Sequence, residues 1–180
     1  DSIHCENIDK RIDADIFVFA TRHYSSAGVP ALTTHSIGNW GRAEFGGKEG
    51  RVCPTSPALL KLFLQNLAAV AKSEGYEGEV VQEATHHGPK LYKPCCYVEL
   101  GSSEKQWKDE DAADFLAGCI IKGLDSKHHK ETVVAIGGGH YCEKFNDLTD
   151  DYAFGHIMPK YAIEHLTKAM AEQMVERTVP

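Results

Sequence analysis

Histidine recurs in this sequence where apolar, strand-like runs end. Imidazole there is the side chain best suited to move protons near neutrality or to ligate a metal. Arg22-His23 follows "DIFVFAT", His86-His87 closes an extended run in "EATHHGP", Gly137-Gly138-Gly139-His140 follows "ETVVAI", and Gly155-His156 lies within "DYAFGHIM". In open α/β sheets, ligands bind beyond the carboxyl ends of the strands, so these clusters point to one shared cleft. A positioned histidine can act there as a general base toward water or a general acid toward a leaving group. Imidazoles joined by a carboxylate would equally suit zinc. Glu99 is the best-placed internal carboxylate, on an apolar strand just before Gly101-Ser102-Ser103. Adjacent side chains on an extended chain point to opposite faces, so His86 and His87 need not share one ion. No H-E-x-x-H or H-x-E-x-H pattern supports a mononuclear site. The plainer alternative, that each is an ordinary core or surface imidazole, stays open.

The glycines before His140 carry a different message. They let backbone approach a ligand closely, and their N–H groups can hold an oxyanion or a phosphate. A tight strand-exit turn is the structural alternative. Neither G-x-G-x-x-G nor a Walker loop is present, which excludes a nucleotide fingerprint. Thr85, Ser102 and Ser103 are candidate hydroxyl nucleophiles and Cys142 a candidate thiolate, but G-x-S-x-G is absent. Water activated by histidine or by a metal is the simpler chemistry. His128-His129, in "DSKHHK", reads as a solvated loop, and His4 and His165 as incidental.

Positioning these groups requires strands that alternate with helices. "DIFVFAT" (15–21) reads as a strand buried on both faces, and the following thirty-odd Gly-, Ser- and Thr-rich residues read as a long loop. Ser56-Pro57 opens a helix with Leu59, Leu60, Phe63, Leu64, Leu67 and Val70 on one face, closed by Gly75. A second strand is expected over 78–86 and a third over 95–102, where Cys95 and Cys96 pack on opposite faces. "KDEDAADFLAGCIIKGL" reads as a helix with Phe115, Leu116, Cys119 and Ile120 inward, followed by a buried strand, "ETVVAIGG". A short strand over "DYAFGHIM" precedes a final helix after Pro159, with Ala162, Leu166, Ala169 and Met170 on one side. The pattern predicts a three-layer α/β/α domain with a largely parallel or mixed sheet.

At 180 residues and 42% hydrophobic, the chain suits a single domain over 1–180. A net charge of −7 argues against electrostatic binding over the whole surface but leaves room for a local basic patch. No apolar run approaches a bilayer span, and no leader is evident, so a soluble cytoplasmic protein without a membrane partner is expected. The six cysteines show neither a disulfide framework nor C-x-x-C.

Taken together, "RHYSSAGVPALTTHSIGNWG", "EATHHGPKLYKPCCYVELGSSEKQWKDEDAA", "IGGGHYCEKF" and "YAFGHIMPKYAIEHL" resemble the archaeal and plant type 2 D-aminoacyl-tRNA deacylases, in the family's own order and over nearly the whole chain. The resemblance implies hydrolysis of the ester joining a D-amino acid, for example D-tyrosine, to the tRNA 3′ end, a chiral proofreading activity. It also implies a phosphorylase/hydrolase-like fold similar to peptidyl-tRNA hydrolase, a monomer, zinc dependence, and RNA rather than DNA as partner. Carried over by motif, His86, His87, His140 and Glu99 are the expected catalytic residues, with His86, His87 and His140 as expected metal ligands. Arg22, His23, Gly138, Gly139, Tyr141, Ser102, His156 and Lys160 are expected to bind the aminoacylated tRNA end. Lys90, Lys93, Lys105, Lys144 and Lys160 flank these blocks and are candidates for phosphate contacts. The chain departs from the family in having Cys142-Glu143-Lys144 after "GGGHY". The resemblance also implies N- and C-terminal segments in family members that 1–180 is expected to lack. A metal-dependent or phosphorylase-like hydrolase of small substrates, and a non-catalytic tRNA-end binder, are the rival readings.

Overall fold

The computed structural model describes residues 2–124 and 131–179, so His128-His129 lies outside the described residues. Its centre is a four-stranded mixed sheet built from β1 (Phe17–Arg22), β2 (Ala31–Ser36), β5 (Glu79–Gln82) and β6 (Cys95–Gly101) in the order β1-β6-β2-β5. β6 runs parallel to β1 and antiparallel to β2, and β2 runs parallel to β5. Every residue of β6 is buried, as its apolar run predicts for a central strand. Cys96, Val98 and Leu100 face one core with Leu60, Phe63 and Leu67 of α1 (Pro57–Glu74) and Leu116 and Cys119 of α3 (Glu110–Leu124). Cys95 and Tyr97 face a second core with Phe17, Ile37, Cys53 and Leu91. The expected split of the two cysteines across the sheet therefore holds. Burial of each large aliphatic or aromatic side chain in these cores contributes roughly 1.5–3 kcal/mol.

α1 begins at Pro57 after Ser56 and ends at Gly75, whose φ of 67° is the left-handed cap that glycine adopts without strain. Its buried Lys61 donates to the carbonyl oxygens of Asp150 and Tyr152, tying the helix to β8 (Tyr152–Met158). β8 pairs in parallel with β7 (Glu131–Ile136), and this small sheet touches both α1 and α5 (Lys168–Arg177). Short pieces complete the fold: β3 (Gly38–Asn39), β4 (Arg51–Val52), α2 (Glu104–Trp107) and α4 (Glu143–Asn146). Helices flank the sheets, but the face of the central sheet carrying Tyr97 is covered by Ile8, in the short 3-10 turn Ile8–Lys10, with Cys53 and Leu91, rather than by an α-helix. Among the described residues, no helix is long and apolar enough to cross a membrane.

Several expected elements differ. The loop after β1 contains β2, a fully buried strand whose polar residues Thr33, Thr34, His35 and Ser36 disguise it. Glu83 N makes the last bond to β2, donating to Thr34 O, and the backbone then finds partners elsewhere: Ala84 N donates to His140 O and Thr85 N to Ile157 O. These bonds bring residues 83–87 against the loop carrying His140. β7 is only half-buried, with Ile136 exposed. The final helix is broken into a 3-10 turn (Lys160–His165) and α5, which Thr167 caps by accepting from Met170 N. The break shifts the helical phase, so Ala162, Met170 and Met174 are buried while Leu166 and Ala169 are exposed.

Candidate active site

Five stretches of chain converge on one cluster of imidazoles and carboxylates. Glu99 continues the β6 face that carries Cys95 and Tyr97, because side chains two apart share a face. The register places it beside Thr21 of β1 and Thr33 of β2. Its Oε1 accepts from Thr21 Oγ1 at 2.6 Å, and its Oε2 lies 3.5 Å from His35 Nε2 and 3.7 Å from His23 Nδ1. Burial alone would raise the Glu99 carboxyl, but His23 and His35 outweigh it and hold it well below the usual carboxylate range. The same pairing raises both imidazoles against the effect of their own burial. His35 donates from Nδ1 to Ser36 O, so its Nε2 can satisfy Glu99 only by carrying a second proton.

Glu83 is the second carboxylate, and its side chain is fully buried. One oxygen lies 3.3 Å from His23 Nδ1, and the other 2.8 Å from His140 Nε2 and 3.8 Å from His86 Nε2. Neither oxygen receives an aligned hydrogen bond, and His35 Nε2 is likewise left without one. Burial would raise the Glu83 carboxyl, yet His140, His35 and His23 together hold it lowered and ionised. A buried anion with open lone pairs is costly unless a cation or a polar group completes it.

His86 and His87 are of the opposite character. His86 donates from Nδ1 to Ala84 O at 2.8 Å, and His87 donates from Nδ1 to Gly88 O at 2.7 Å. A carbonyl can only accept, so both rings carry their proton on Nδ1 and keep an Nε2 lone pair. Burial and the neighbouring charge of His35 lower His86 well below its ordinary value, and burial chiefly brings His87 down to about 4. Both rings also face the same space, contrary to the alternation expected of an extended chain. The backbone at His87 has φ of 39°, a left-handed conformation that turns the second ring back beside the first, with centroids 4.4 Å apart. A column of rings supports the pair: His86 stacks on His35 at 4.0 Å, His35 on Tyr97 at 4.9 Å and Tyr97 on Phe19 at 5.0 Å.

His140 approaches from the other side, its ring 4.6 Å from that of His86 and its Nδ1 3.0 Å from Tyr161 Oη. Phe45, His86, His87 and His140 are shared by two adjoining cavities of about 690 and 610 Å³. The first also meets Trp40, Tyr161 and His165, so His165 is not incidental to the cleft; the second meets Arg22, His23 and Glu99. Donor atoms fall within 4.8 Å of one another in the sets Glu83-His86-His140, His35-His86-His87 and His23-Glu83-Glu99. The unsatisfied oxygens of Glu83 and the free Nε2 lone pair of His86, which fall in one donor set with His140, fit a divalent metal held by nitrogen and oxygen.

Other expected residues are distributed as follows. Tyr141 Oη lies 2.8 Å from His23 Nε2, at the edge of the cluster. Gly138, with φ of 75°, accepts from Lys160 N, so the glycine loop and exposed Lys160 form one lip. Arg22 is exposed, its guanidinium 4.9 Å from the ring centre of Trp107. Ser102 stands apart, fully buried, with its hydroxyl donated to Val29 O. His156 also stands apart: it is fully buried, donates from Nε2 to Cys53 O and receives the Thr85 hydroxyl at Nδ1. Burial lowers it to about 4, and it ties β8 to the 53 and 85 segments as a neutral imidazole. Lys93, Lys105 and Lys144 are exposed, while Lys90 reaches Leu91 O and lies over the Tyr92 ring. The Cys142 thiol is buried and pushed up to about 12, which removes it as a thiolate nucleophile.

Sequence reasoning missed Glu83 and His35. Glu83 opens the "EATHHGP" stretch itself, and its carboxylate passed for the polar end of a strand. His35 was readable from "ALTTHS", whose β-branched threonines suit a strand better than a loop.

Comparison with known proteins agrees with this architecture. Residues 10–180 match the family model described as D-aminoacyl-tRNA deacylase. The chain is 40% identical over 187 residues to a D-aminoacyl-tRNA deacylase of Thermococcus onnurineus, covering 98% of this chain and 67% of that protein. It is 36% identical to one of Methanococcoides burtonii, covering 98% of this chain and 38% of that protein. A crystal structure of a conserved protein of unknown function superposes with a TM-score of 0.93 at 31% identity, covering 99% of this chain and 66% of the other. The chain thus spans about two thirds or less of the length of these relatives. With the matched region running almost from end to end, the chain belongs to the D-aminoacyl-tRNA deacylase family.

Proposed function

We propose that this cleft hydrolyses the ester between a D-amino acid and the 3′ end of tRNA, releasing both, with D-tyrosyl-tRNA as one substrate. The observation that carries the reading is the pair of neutral imidazoles, His86 and His87, whose protons are held by backbone carbonyls and whose Nε2 lone pairs face the cleft. An aminoacyl ester is already activated, so a positioned water, a base and an oxyanion site suffice. His86 Nε2 accepts the proton of the attacking water. His140, set between Glu83 and Tyr161, protonates the departing ribose oxygen. Backbone N–H groups around Gly138 and Gly139 face the developing oxyanion. Glu99 fixes His23 and His35, and so the ring column on which His86 rests.

His86 and His140, with Glu83, would hold zinc, the His86 Nε2 lone pair then serving as ligand in place of its base role; when bound, zinc supplies a Lewis acid that lowers the pKa of bound water. His87, the third expected ligand, falls in a separate donor set with His35 and His86. We further place the activity in a single 1–180 unit acting as a cytoplasmic monomer on tRNA. The contacts of the β7–β8 sheet with both α1 and α5 support the three-layer, phosphorylase/hydrolase-like relationship to peptidyl-tRNA hydrolase.

The test is deacylation of matched D- and L-tyrosyl-tRNA, with and without a chelator. Free D-tyrosine with the L-ester left intact is expected. Equal hydrolysis of both, or binding without turnover, refutes the reading. Loss of rate on chelation with recovery on adding zinc assigns the metal.

A further inference from the structure

The ester under attack sits on the ribose of the terminal nucleotide, so the base of that nucleotide must lie within one sugar of the catalytic cavity. A third cavity, of about 760 Å³, adjoins the catalytic one at the end of β1, where it shares Thr21 and Arg22 with the cavity that meets His86, His87 and His140. Cavities at Lys48–Arg177 and at Val70–Phe115 share no lining residue with the catalytic pair.

The chemistry of this third cavity is that of a base-stacking slot. Ala20, Ala113 and Ala117 line it with the indole of Trp107, and the Glu104–Lys108 ion pair borders it. Trp107 donates from Nε1 to His23 O at 2.8 Å, which fixes the ring to the backbone of a cluster residue. Arg22 lies over that indole at 4.9 Å, and Tyr24, 73% exposed, is tilted against it at 6.4 Å. Among the described residues, no carboxylate pairs with Arg22, which leaves its charge for a phosphate. Aromatic rings and guanidinium planes are the surfaces on which unpaired bases stack, and the basic group tracks the phosphate.

We propose that Trp107, Arg22 and Tyr24 form the seat of the 3′-terminal adenosine of tRNA, with the adenine stacked on the Trp107–Arg22 platform and its ribose directed toward His86. This rests on the deacylase reading above for the identity of the RNA. Binding is tested without any ester, by titrating the chain with the trinucleotide CCA and with the dinucleotide CC while following tryptophan emission. Trp40, 7% exposed, also meets the catalytic cavity, so the quench is assigned to Trp107 by its disappearance in Trp107→Phe. CCA is expected to quench emission saturably and CC to leave it unchanged. By calorimetry, Trp107→Ala is expected to weaken CCA binding by about tenfold or more, and Trp107→Phe to restore it to within about threefold. Arg22→Gln, on an exposed side chain, is expected to weaken it about threefold to tenfold and to flatten its salt dependence. Equal affinity for CC and CCA, or CCA binding that leaves Trp107 emission unchanged, overturns the proposal. If CCA seats as described but D-tyrosyl-tRNA is not hydrolysed, the deacylase reading fails and the seat stands. If the ester is hydrolysed while Trp107 is silent to CCA, the seat alone fails.

Discussion

His35 and His86 lie face to face, 4.0 Å between ring centres, and carry opposite character. His35 is buried and His86 half-buried, and both donate from Nδ1 to a backbone carbonyl. What differs is the partner at Nε2. His35 meets Glu99 at 3.5 Å and is raised, whereas His86 meets Glu83 only at 3.8 Å and is lowered by burial and by the charge of His35 itself. One carboxylate contact thus divides a set of similar side chains into a fixed cation and a free base. The cation in turn keeps its neighbour neutral through repulsion.

The largest expected effect comes from removing the free base. His86→Ala should lower kcat for D-tyrosyl-tRNA by about 10²–10⁴-fold with the fold intact by circular dichroism; an unchanged kcat would assign the proton transfer elsewhere. Next is the counter-ion. Glu99→Gln strands two raised imidazoles in the interior and should cost about 3–5 kcal/mol in urea unfolding. In the same variant, NMR titration should show His35 falling below its ordinary value; if it does not, Glu99 is not the source of the division.

A third prediction uses pH. His87, lowered to about 4, contributes stability that is present above the unfolded value of 6.5 and lost as pH falls from there toward 4. His23 and His35, both raised, contribute stability that is full below 6.5 and lost as pH rises through their folded values. These contributions peak together near pH 6.5. His87→Asn, which keeps the left-handed backbone accessible, should flatten the acid side of a stability–pH curve, and His35→Gln the alkaline side. If either variant flattens the wrong side, the division is misassigned. The smallest effect is expected of Tyr161→Phe, which removes one hydrogen bond to His140, about 0.5–1.5 kcal/mol, and should slow turnover a few-fold at most.

The sequence carried the parts of this arrangement that depend on local pattern. The pattern over 95–102 marked a strand, and Ser56-Pro57 with Gly75 bracketed α1 correctly, whereas 15–21, read as buried on both faces, is the half-buried edge strand β1. His86, His87, His140 and Glu99 were recognisable because titratable groups stood beside apolar strands. The missing parts depend on distant partners. β2 hides behind threonines, a histidine and a serine that are buried only because β5 and β6 supply its backbone bonds. Glu83 owes its importance to His23 and His140, fifty or more residues away in the chain. The left-handed turn at His87 is a backbone choice that a pairwise reading of an extended segment does not contain.

That dispersal has a consequence for how the molecule is made. His23, His35, Glu83, Glu99 and His140 enter translation in that order, and β1 cannot pair until β6 has been synthesised. Until His140 has left the ribosome, a growing chain holds Glu83 without its nearest imidazole and the cleft without one wall. Hydrolytic capacity therefore arises late and all at once. An incomplete polypeptide, released early, holds no partial form of the site.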